Sequence, residues 1–251
     1  MKKRIIVMLI VLLSAASLGF SDALTFRLGY FIPRADSDFW KTEFDNMTYT
    51  RATFSDASYG VGYEIFMVPE LSLMLNVDIY SKSRGGFYRD YTGFTLTDGD
   101  WALPSAYSGD FTPGHSLSIT IIPIQASFKV TPLGRRVMIV PYFGAGAGLY
   151  LWDVHMVGDL VDFSTPELFV DSTGNLLTGY PINSVDAHEG LSTAWGWHAF
   201  AGLMYPIGNR LTLDVSFKYN SAHGNFTKAF EGFQPFDLSH YQILGGINYW
   251  F

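Results

Sequence analysis

Two serine–histidine neighbours near the C-terminus are the residues whose types and spacing could do chemistry. One intervening residue separates Ser221 from His223, and Ser239 directly precedes His240. A serine hydroxyl beside an imidazole can act as a nucleophile with its general base, which is the chemistry of hydrolysis and acyl transfer. Both pairs stand near the loop ends of the two closing strands of the predicted sheet. We interpret them as polar loop-edge residues and predict that the chain has no catalytic residue and is not an enzyme.

Acidic residues form the other group that could bind a ligand. The stretch 153–192 contains no Lys or Arg and carries seven carboxylates: Asp153, Asp159, Asp162, Glu167, Asp171, Asp186 and Glu189. They could bind Ca²⁺ or the divalent ions that bridge lipopolysaccharide, but their spacing matches no defined calcium loop. A solvated surface loop is the simpler interpretation, so neither a metal site nor a cofactor is predicted.

The N-terminus has the layout of a secretory signal. Basic residues within Met1–Arg4 precede an apolar run, Ile5–Leu13, and small residues then lead to Ser21-Asp22-Ala23. The run is about half the roughly 20 residues of a spanning helix, which favours a cleaved signal over a retained anchor. We expect residues 1–23 to be removed after Ala23 and residues 24–251 to form one domain.

The composition is unusual for a soluble protein. Aromatic residues make up 17% of the chain and glycines number 25, whereas charged residues reach only 16%, against roughly 25% in ordinary soluble domains. The chain contains no cysteine, so disulfides cannot stabilise it after export. An exported, aromatic-rich chain without long apolar runs beyond the signal has the profile of a membrane β-barrel.

An alternation of apolar and polar residues recurs in eight segments and predicts the strands. In the first segment Leu24, Phe26 and Leu28 alternate with Thr25, Arg27 and Gly29. The same period returns near residues 58–67, 71–79, 117–129, 137–152, 195–205, 211–220 and 241–251. Short turns alternate with four long polar stretches, residues 34–56, 81–115, 153–192 and 221–237. The fold predicted is all-β: an eight-stranded antiparallel up-and-down transmembrane β-barrel with short periplasmic turns and four long extracellular loops.

Two strands depart from the simple pattern. In the fourth, Leu117, Ile119 and Ile121 share one face, but after Pro123 the apolar set shifts to the other parity. Because proline cannot donate to a strand ladder, we expect a bulge there that changes the register. The fifth strand has glycine at positions 144, 146 and 148, which indicates a bend or a crowded interior.

Aromatic and charged residues decide which face of the barrel meets lipid. A soluble β-sandwich or lipocalin-like barrel would show the same period, with its apolar face turned inward. Here aromatic residues gather at both ends of the apolar face, as in the two girdles of a membrane barrel: Tyr30, Tyr59, Trp195, Trp197, Tyr219, Tyr241, Tyr205, Tyr249 and Phe251. Charged strand residues occupy the opposite face. We therefore predict that a ligand-binding or interior polar network fills the lumen: Arg27, Glu64, Asp78, Lys129, His198, Asp214 and Lys218. Of these, His198 is expected to be a satisfied interior hydrogen-bonding group.

The mature chain resembles the bacterial outer-membrane β-barrel domain family, the small eight-stranded group that includes OmpA, OmpX and OmpW-like proteins. The segment Pro141-Tyr-Phe-Gly-Ala-Gly-Ala-Gly148 looks like the glycine-rich fifth strand of these barrels. The C-terminal pattern with Tyr241, Ile247, Tyr249 and Phe251 is similar to the signal read by the barrel-assembly machinery. The resemblance implies a location in the cell outer membrane. It also implies outer-membrane lipid, lipopolysaccharide and the assembly machinery as partners, and no nucleic acid.

Three functions are compatible with such a barrel. The first is a structural or surface-interaction protein with a largely filled interior, whose loops bind extracellular ligands. The second, implied by OmpW-like barrels, is a narrow conduit for small hydrophobic molecules. It would need an apolar funnel, to which these residues could contribute if they face inward: Phe128, Tyr142, Phe200, Leu244 and Trp250. The third is a rim-sited enzyme that modifies lipid A, but Ser221 and His223 occur in the reverse order of the His-x-Ser-Asn pattern of lipid A deacylases. We favour the first.

Overall fold

A computed structural model describes residues 22–135, 137–171 and 173–251. Most of the expected signal segment, residues 1–21, therefore lies outside the described residues. Asp22 and Ala23 are the first two residues of strand β1. No helix within the described ranges is long and apolar enough to cross a bilayer.

Eight antiparallel strands close into a barrel, which confirms the predicted fold class. The barrel strands are β1 (Asp22–Pro33), β2 (Asp56–Val68), β3 (Leu71–Phe87), β6 (Gly114–Val130), β7 (Val140–Val161), β10 (Ser192–Pro206), β11 (Leu211–Gly224) and β13 (His240–Trp250). Each pairs with the next in this order. The last strand closes the ring on the first, from Ala23 opposite Trp250 to Pro33 opposite His240. Closure leaves the barrel without a free edge, as a strand-built membrane protein requires.

The long connections are ordered structures that continue the barrel beyond the membrane. They contain α1 (Asp38–Asn46), a 3₁₀ helix (Arg51–Phe54), β4 (Tyr91–Leu96), β5 (Gly99–Pro104), β8 (Glu167–Val170), β9 (Leu176–His188) and β12 (Phe236–Asp237). Several barrel strands also exceed the roughly 9–11 residues that cross a bilayer; β7 has 22. Its upper part pairs with β9. The sequence predicted where these loops lie, but not that strands build them.

Outward alternate positions carry large exposed apolar side chains and inward positions carry buried polar ones. On β11, Leu213, Val215 and Phe217 are exposed, whereas Asp214 and Lys218 are buried. This polarity is the reverse of a soluble barrel, and it fits lipid outside and a packed polar interior. We conclude that the barrel spans a membrane.

The prediction of a bulge at Pro123 is wrong. The pairing of β6 with β3 and with β7 keeps one register on both sides of this proline, and the odd-numbered side chains of β6 point inward throughout. What changes is the chemistry of the interior: Leu117, Ile119 and Ile121 line it above Pro123, and polar residues line it below. The register irregularity that does occur lies between Phe66 and Val68 on β2.

The polarity of the outward face of β6 changes in the opposite direction along the strand. Its lower positions, such as Ile122 and Ile124, are apolar. Above them, Thr120 hydrogen-bonds to Ser81 of β3 at 2.8 Å, and Ser118 donates to Ser83 at 2.7 Å. The outer face therefore changes from apolar to polar at the same height at which the interior changes from polar to apolar. This height is where the barrel leaves the lipid.

A large apolar core lies at the extracellular end, inside the extended strands and beneath α1. It consists mainly of aromatic residues, among them Phe31, Phe39, Trp40, Phe54, Tyr80, Trp152, Phe226 and Phe236. A second, small cluster lies toward the turn end, around Met74, Tyr142 and Met204. At Gly144 of β7 an added side chain would collide with the Phe200 ring. The glycines of this strand thus fit a crowded interior.

Candidate functional site

The centre of the lumen is occupied by a layer of charged and amide side chains. Lys218 donates to Asp78 Oδ2 at 2.7 Å and also hydrogen-bonds to Gln125. The Arg27 guanidinium lies 3.7 Å from Asp78 and donates to Asn76 at 2.5 Å. Lys218 and Asp78 are each only 2% exposed. Oppositely charged side chains thus join strands on opposite sides of the ring across the lumen, and their pairing offsets part of the cost of burying them.

A second charged layer lies nearer the periplasmic turns and is centred on Glu64. Its carboxylate accepts hydrogen bonds from Lys129 at 3.0 Å and from Arg135 at 2.9 Å. Ser72 donates to the same group at 2.5 Å. Arg135 lies in the turn between β6 and β7. Its aliphatic stem allows the guanidinium to enter the barrel, where it stacks 3.5 Å from the Phe66 ring.

The two remaining predicted interior residues lie apart from these layers. Asp214 accepts a hydrogen bond from Tyr142 at 2.8 Å. His198 is fully buried and lies parallel to the Phe200 ring. Neither ring nitrogen of His198 hydrogen-bonds to another described residue, so its expected role as a satisfied interior group stays a prediction. The structure therefore places all seven predicted residues inside the barrel, and joins five of them through ion pairs.

The mouth of the barrel is closed by α1 and the fourth loop. Phe39 of α1 packs against the rings of Phe226, Phe230 and Phe236. Trp40 donates its indole N–H to the Asp237 carbonyl at 3.1 Å. These contacts bury the apolar face of α1 and hold it across the lumen. We call this group, α1 with residues 226–238, the extracellular cap.

A buried cluster of hydrogen-bonded polar side chains connects the extracellular cap to β6. Glu43 of α1 lies 2.9 Å from His115 Nε2 and also accepts a hydrogen bond from the Tyr49 hydroxyl. Tyr49 and His115 are themselves 3.1 Å apart. Burial, and then the adjacent Glu43 charge, raise the pKa of the Tyr49 phenol. Sequence analysis missed this cluster because no local pattern brings together residues so far apart in the chain.

Glu189 fastens the third loop to the fourth. This buried carboxylate accepts hydrogen bonds from the backbone N–H groups of Thr227 at 2.8 Å, Lys228 at 3.1 Å and Ala229 at 3.0 Å. Burial opposes its ionisation, but these donors outweigh burial and lower the pKa of Glu189 below its ordinary value. We call this arrangement the Glu189 clasp.

The acidic residues of the third loop do not converge on one point. Asp162 and Asp171 accept hydrogen bonds within their own turns, while Asp153 and Asp186 face histidines. Across the described ranges, no group of three or more His, Asp or Glu side chains is placed to hold a metal ion. A calcium site built from several of these carboxylates is therefore not supported.

The serine–histidine pairs do not form a catalytic arrangement. Ser239 and His240 are buried, and the His240 ring stacks on Phe31 with centroids 4.2 Å apart. His223 is exposed but lies 3.6 Å from Asp237. In the described part of the chain, neither serine hydroxyl hydrogen-bonds to its neighbouring histidine. A nucleophile and its base should lie within hydrogen-bond reach.

The C-terminal strand presents the predicted assembly residues to the membrane. Tyr241, Ile247, Tyr249 and Phe251 are all exposed on the outer surface. In the pairing of β13 with β1, Tyr249 lies opposite Leu24 and Ile247 lies opposite Phe26. The end of the chain therefore belongs to the closing seam of the barrel.

Comparison with known proteins gives solved structures only. No protein-family model and no curated protein matches the chain. The chain is similar to the outer membrane protein OprG from Pseudomonas aeruginosa, at 13% identity and a TM-score of 0.49, over 92% of this chain and 96% of that one. Neisserial surface protein A is similar at 13% identity and a TM-score of 0.47, over 92% and 97%. E. coli Outer Membrane Protein W is similar at 10% identity and a TM-score of 0.41, over 93% and 100%. These are proteins of the class that the sequence resembles, and the strand pairing of this chain closes the same kind of barrel.

Proposed function

We propose that this protein is an integral outer-membrane β-barrel that conducts no solute and presents its ordered extracellular loops for surface interactions. The observation that carries the proposal is the central layer in which Arg27, Lys218 and Asp78 meet across the lumen. An eight-stranded barrel is just wide enough for side chains to fill it. With the layer of Glu64 below and the extracellular cap above, the lumen is obstructed at three heights.

The loops supply the interaction surface because their own structure is fixed. The third loop is a paired extension of β7 and β9, and the Glu189 clasp joins it to the fourth loop. A rigid loop loses little conformational entropy when a partner binds. Outer-membrane lipid and lipopolysaccharide are the partners proposed for the wall, and the barrel-assembly machinery for the C-terminal strand. Export with cleavage after Ala23 belongs to the same proposal.

The hydrophobic conduit is less well supported by the geometry. Tyr142, Phe200 and Leu244 are buried inward, but Phe128 is 55% exposed and faces lipid, so it does not line a funnel. The charged layers interrupt the remaining apolar surface. A rim-sited enzyme is not supported by either serine–histidine pair. Normal lipid A remodelling in S221A and H223A mutants would count further against it.

Single-channel recording tests the proposal. The full chain, folded in detergent and inserted into planar bilayers, should give no stepwise conductance in 1 M KCl, whereas an open porin gives clear steps. Heat-modifiable migration of the same sample on a gel shows that the barrel is folded. Regular conductance steps from the folded sample would contradict a closed lumen.

A further inference from the structure

We propose that His155 and His188 bind a transition-metal ion, with Zn²⁺ as the representative, on the outer face of the extracellular hairpin of β7 and β9. The two residues are directly opposite each other in the pairing of these strands. Their ring centroids lie 4.9 Å apart, with the planes inclined at 49°. Two imidazoles bound to one tetrahedral ion at about 2.0–2.1 Å have centroids about 5 Å apart. The observed separation therefore already suits a shared ion.

A neighbouring carboxylate hydrogen-bonds to each ring, as is usual for histidines that bind a metal ion. His155 Nε2 lies 2.7 Å from Asp186 Oδ1, and His188 Nε2 lies 2.8 Å from Asp153 Oδ2. A histidine that binds a metal through one ring nitrogen almost always donates the N–H of the other to a carboxylate, carbonyl or water. With Nε2–H donated to Asp, the lone pair is on Nδ1. Among the described residues no group hydrogen-bonds to Nδ1 of either ring.

Access and charge favour a cation at this place. The side chains of His155 and His188 are 39% and 52% exposed, so an ion reaches them from solvent. The stretch 153–192 contains carboxylates and no Lys or Arg, which raises the local concentration of cations. Imidazole ligands select Zn²⁺, Cu²⁺ or Ni²⁺ over Ca²⁺ and Mg²⁺, which prefer oxygen. Two protein ligands leave the other positions on the ion to water.

Titration of the folded, tag-free chain with ZnCl₂ tests this site by calorimetry. We expect one ion per chain, with binding at least about tenfold weaker in H155A and in H188A. D153N and D186N should each weaken binding about 10–100-fold, since the carboxylates orient the rings. H223A is the matched control: His223 is also exposed beside an aspartate, but it has no histidine opposite it. Its affinity should equal that of the unaltered chain.

Three results would overturn the site: no saturable Zn²⁺ binding, equal binding in the H155A/H188A double variant, or displacement of Zn²⁺ by millimolar Ca²⁺. The last would show a site made of carboxylates. Heat-modifiable migration verifies the fold of every variant, and H155Q and H188Q replace any alanine variant that fails to fold. The inference does not depend on whether the lumen conducts.

Discussion

Replacing Lys218 by Met should destabilise the barrel strongly, because it leaves a buried carboxylate without its closest cation. Lys218 donates to Asp78 at 2.7 Å, and both side chains are 2% exposed. Removing one partner of a buried pair costs about 3–5 kcal/mol. Arg27 remains 3.7 Å from Asp78, so we expect the lower end, about 3 kcal/mol. That is roughly a 150-fold change in the unfolding equilibrium constant.

Urea unfolding of the barrel in lipid vesicles, followed by tryptophan fluorescence, measures this cost. K82M is the matched control, because Lys82 also pairs with an aspartate, Asp56, at the extracellular edge of the barrel. The Asp56 side chain is 41% exposed, and exposed pairs contribute about 0–1 kcal/mol. K218M should therefore lower the free energy of unfolding several times more than K82M does.

A double variant, K218M/D78N, tests the same reasoning from the other side. The double variant should lose less unfolding free energy than the sum of the losses in the two single variants, because neither charge is left unpaired. If K218M costs no more than K82M, water reaches Asp78 and the central layer is not desolvated. That result would refute the reasoning and remove the main support for a closed lumen.

Four further predictions concern the loops and the two ends of the chain. E189Q should speed hydrogen exchange at the amides of residues 227–229 by roughly 10–150-fold, since hydrogen bonds to a charged group contribute about 1.5–3 kcal/mol; unchanged exchange would show that the Glu189 clasp does not hold the loop. The folded pKa of Glu189 lies below the ordinary 4.5, so the stabilisation is present above about pH 4.5 and is lost as pH falls through the lowered pKa; protection at these amides that persists through strong acid would contradict this sign. Deleting Phe251 should reduce the amount of heat-modifiable barrel in the outer membrane, and normal levels would show that the residue is dispensable for assembly. Mass spectrometry should find Leu24 at the mature N-terminus, and a chain that starts at Asp22 would place the cut before β1.

Local periodicity was sufficient to predict the barrel, because lipid outside and packed side chains inside impose opposite chemistry on successive residues. The same reasoning placed Arg27, Asp78 and Lys218 in the interior. It failed at Pro123 of β6, where the apolar set changes parity, because a shift in register gives the same local pattern as a change of environment.

The contacts that close the mouth could not be predicted from sequence patterns. Glu43, Tyr49 and His115 come from three separate segments, and nothing in the spacing of each indicates the others. The same holds for His155 and His188, whose meeting depends on how far β7 continues beyond the membrane and on its register with β9. Such placements depend on long-range pairing, which a periodic signal does not specify.

The exchange of polarity along β6 has a consequence for how deep the barrel sits. If the barrel moved inward by one pair of residues, the hydroxyls of Ser118 and Thr120 would enter hydrocarbon. If it moved outward, Ile122 and Ile124 would meet water. Either displacement has a cost, so the wall itself sets the insertion depth without any contribution from the loops. The barrel should therefore keep its height when the loops are exchanged or shortened, and thin or thick bilayers should deform around it.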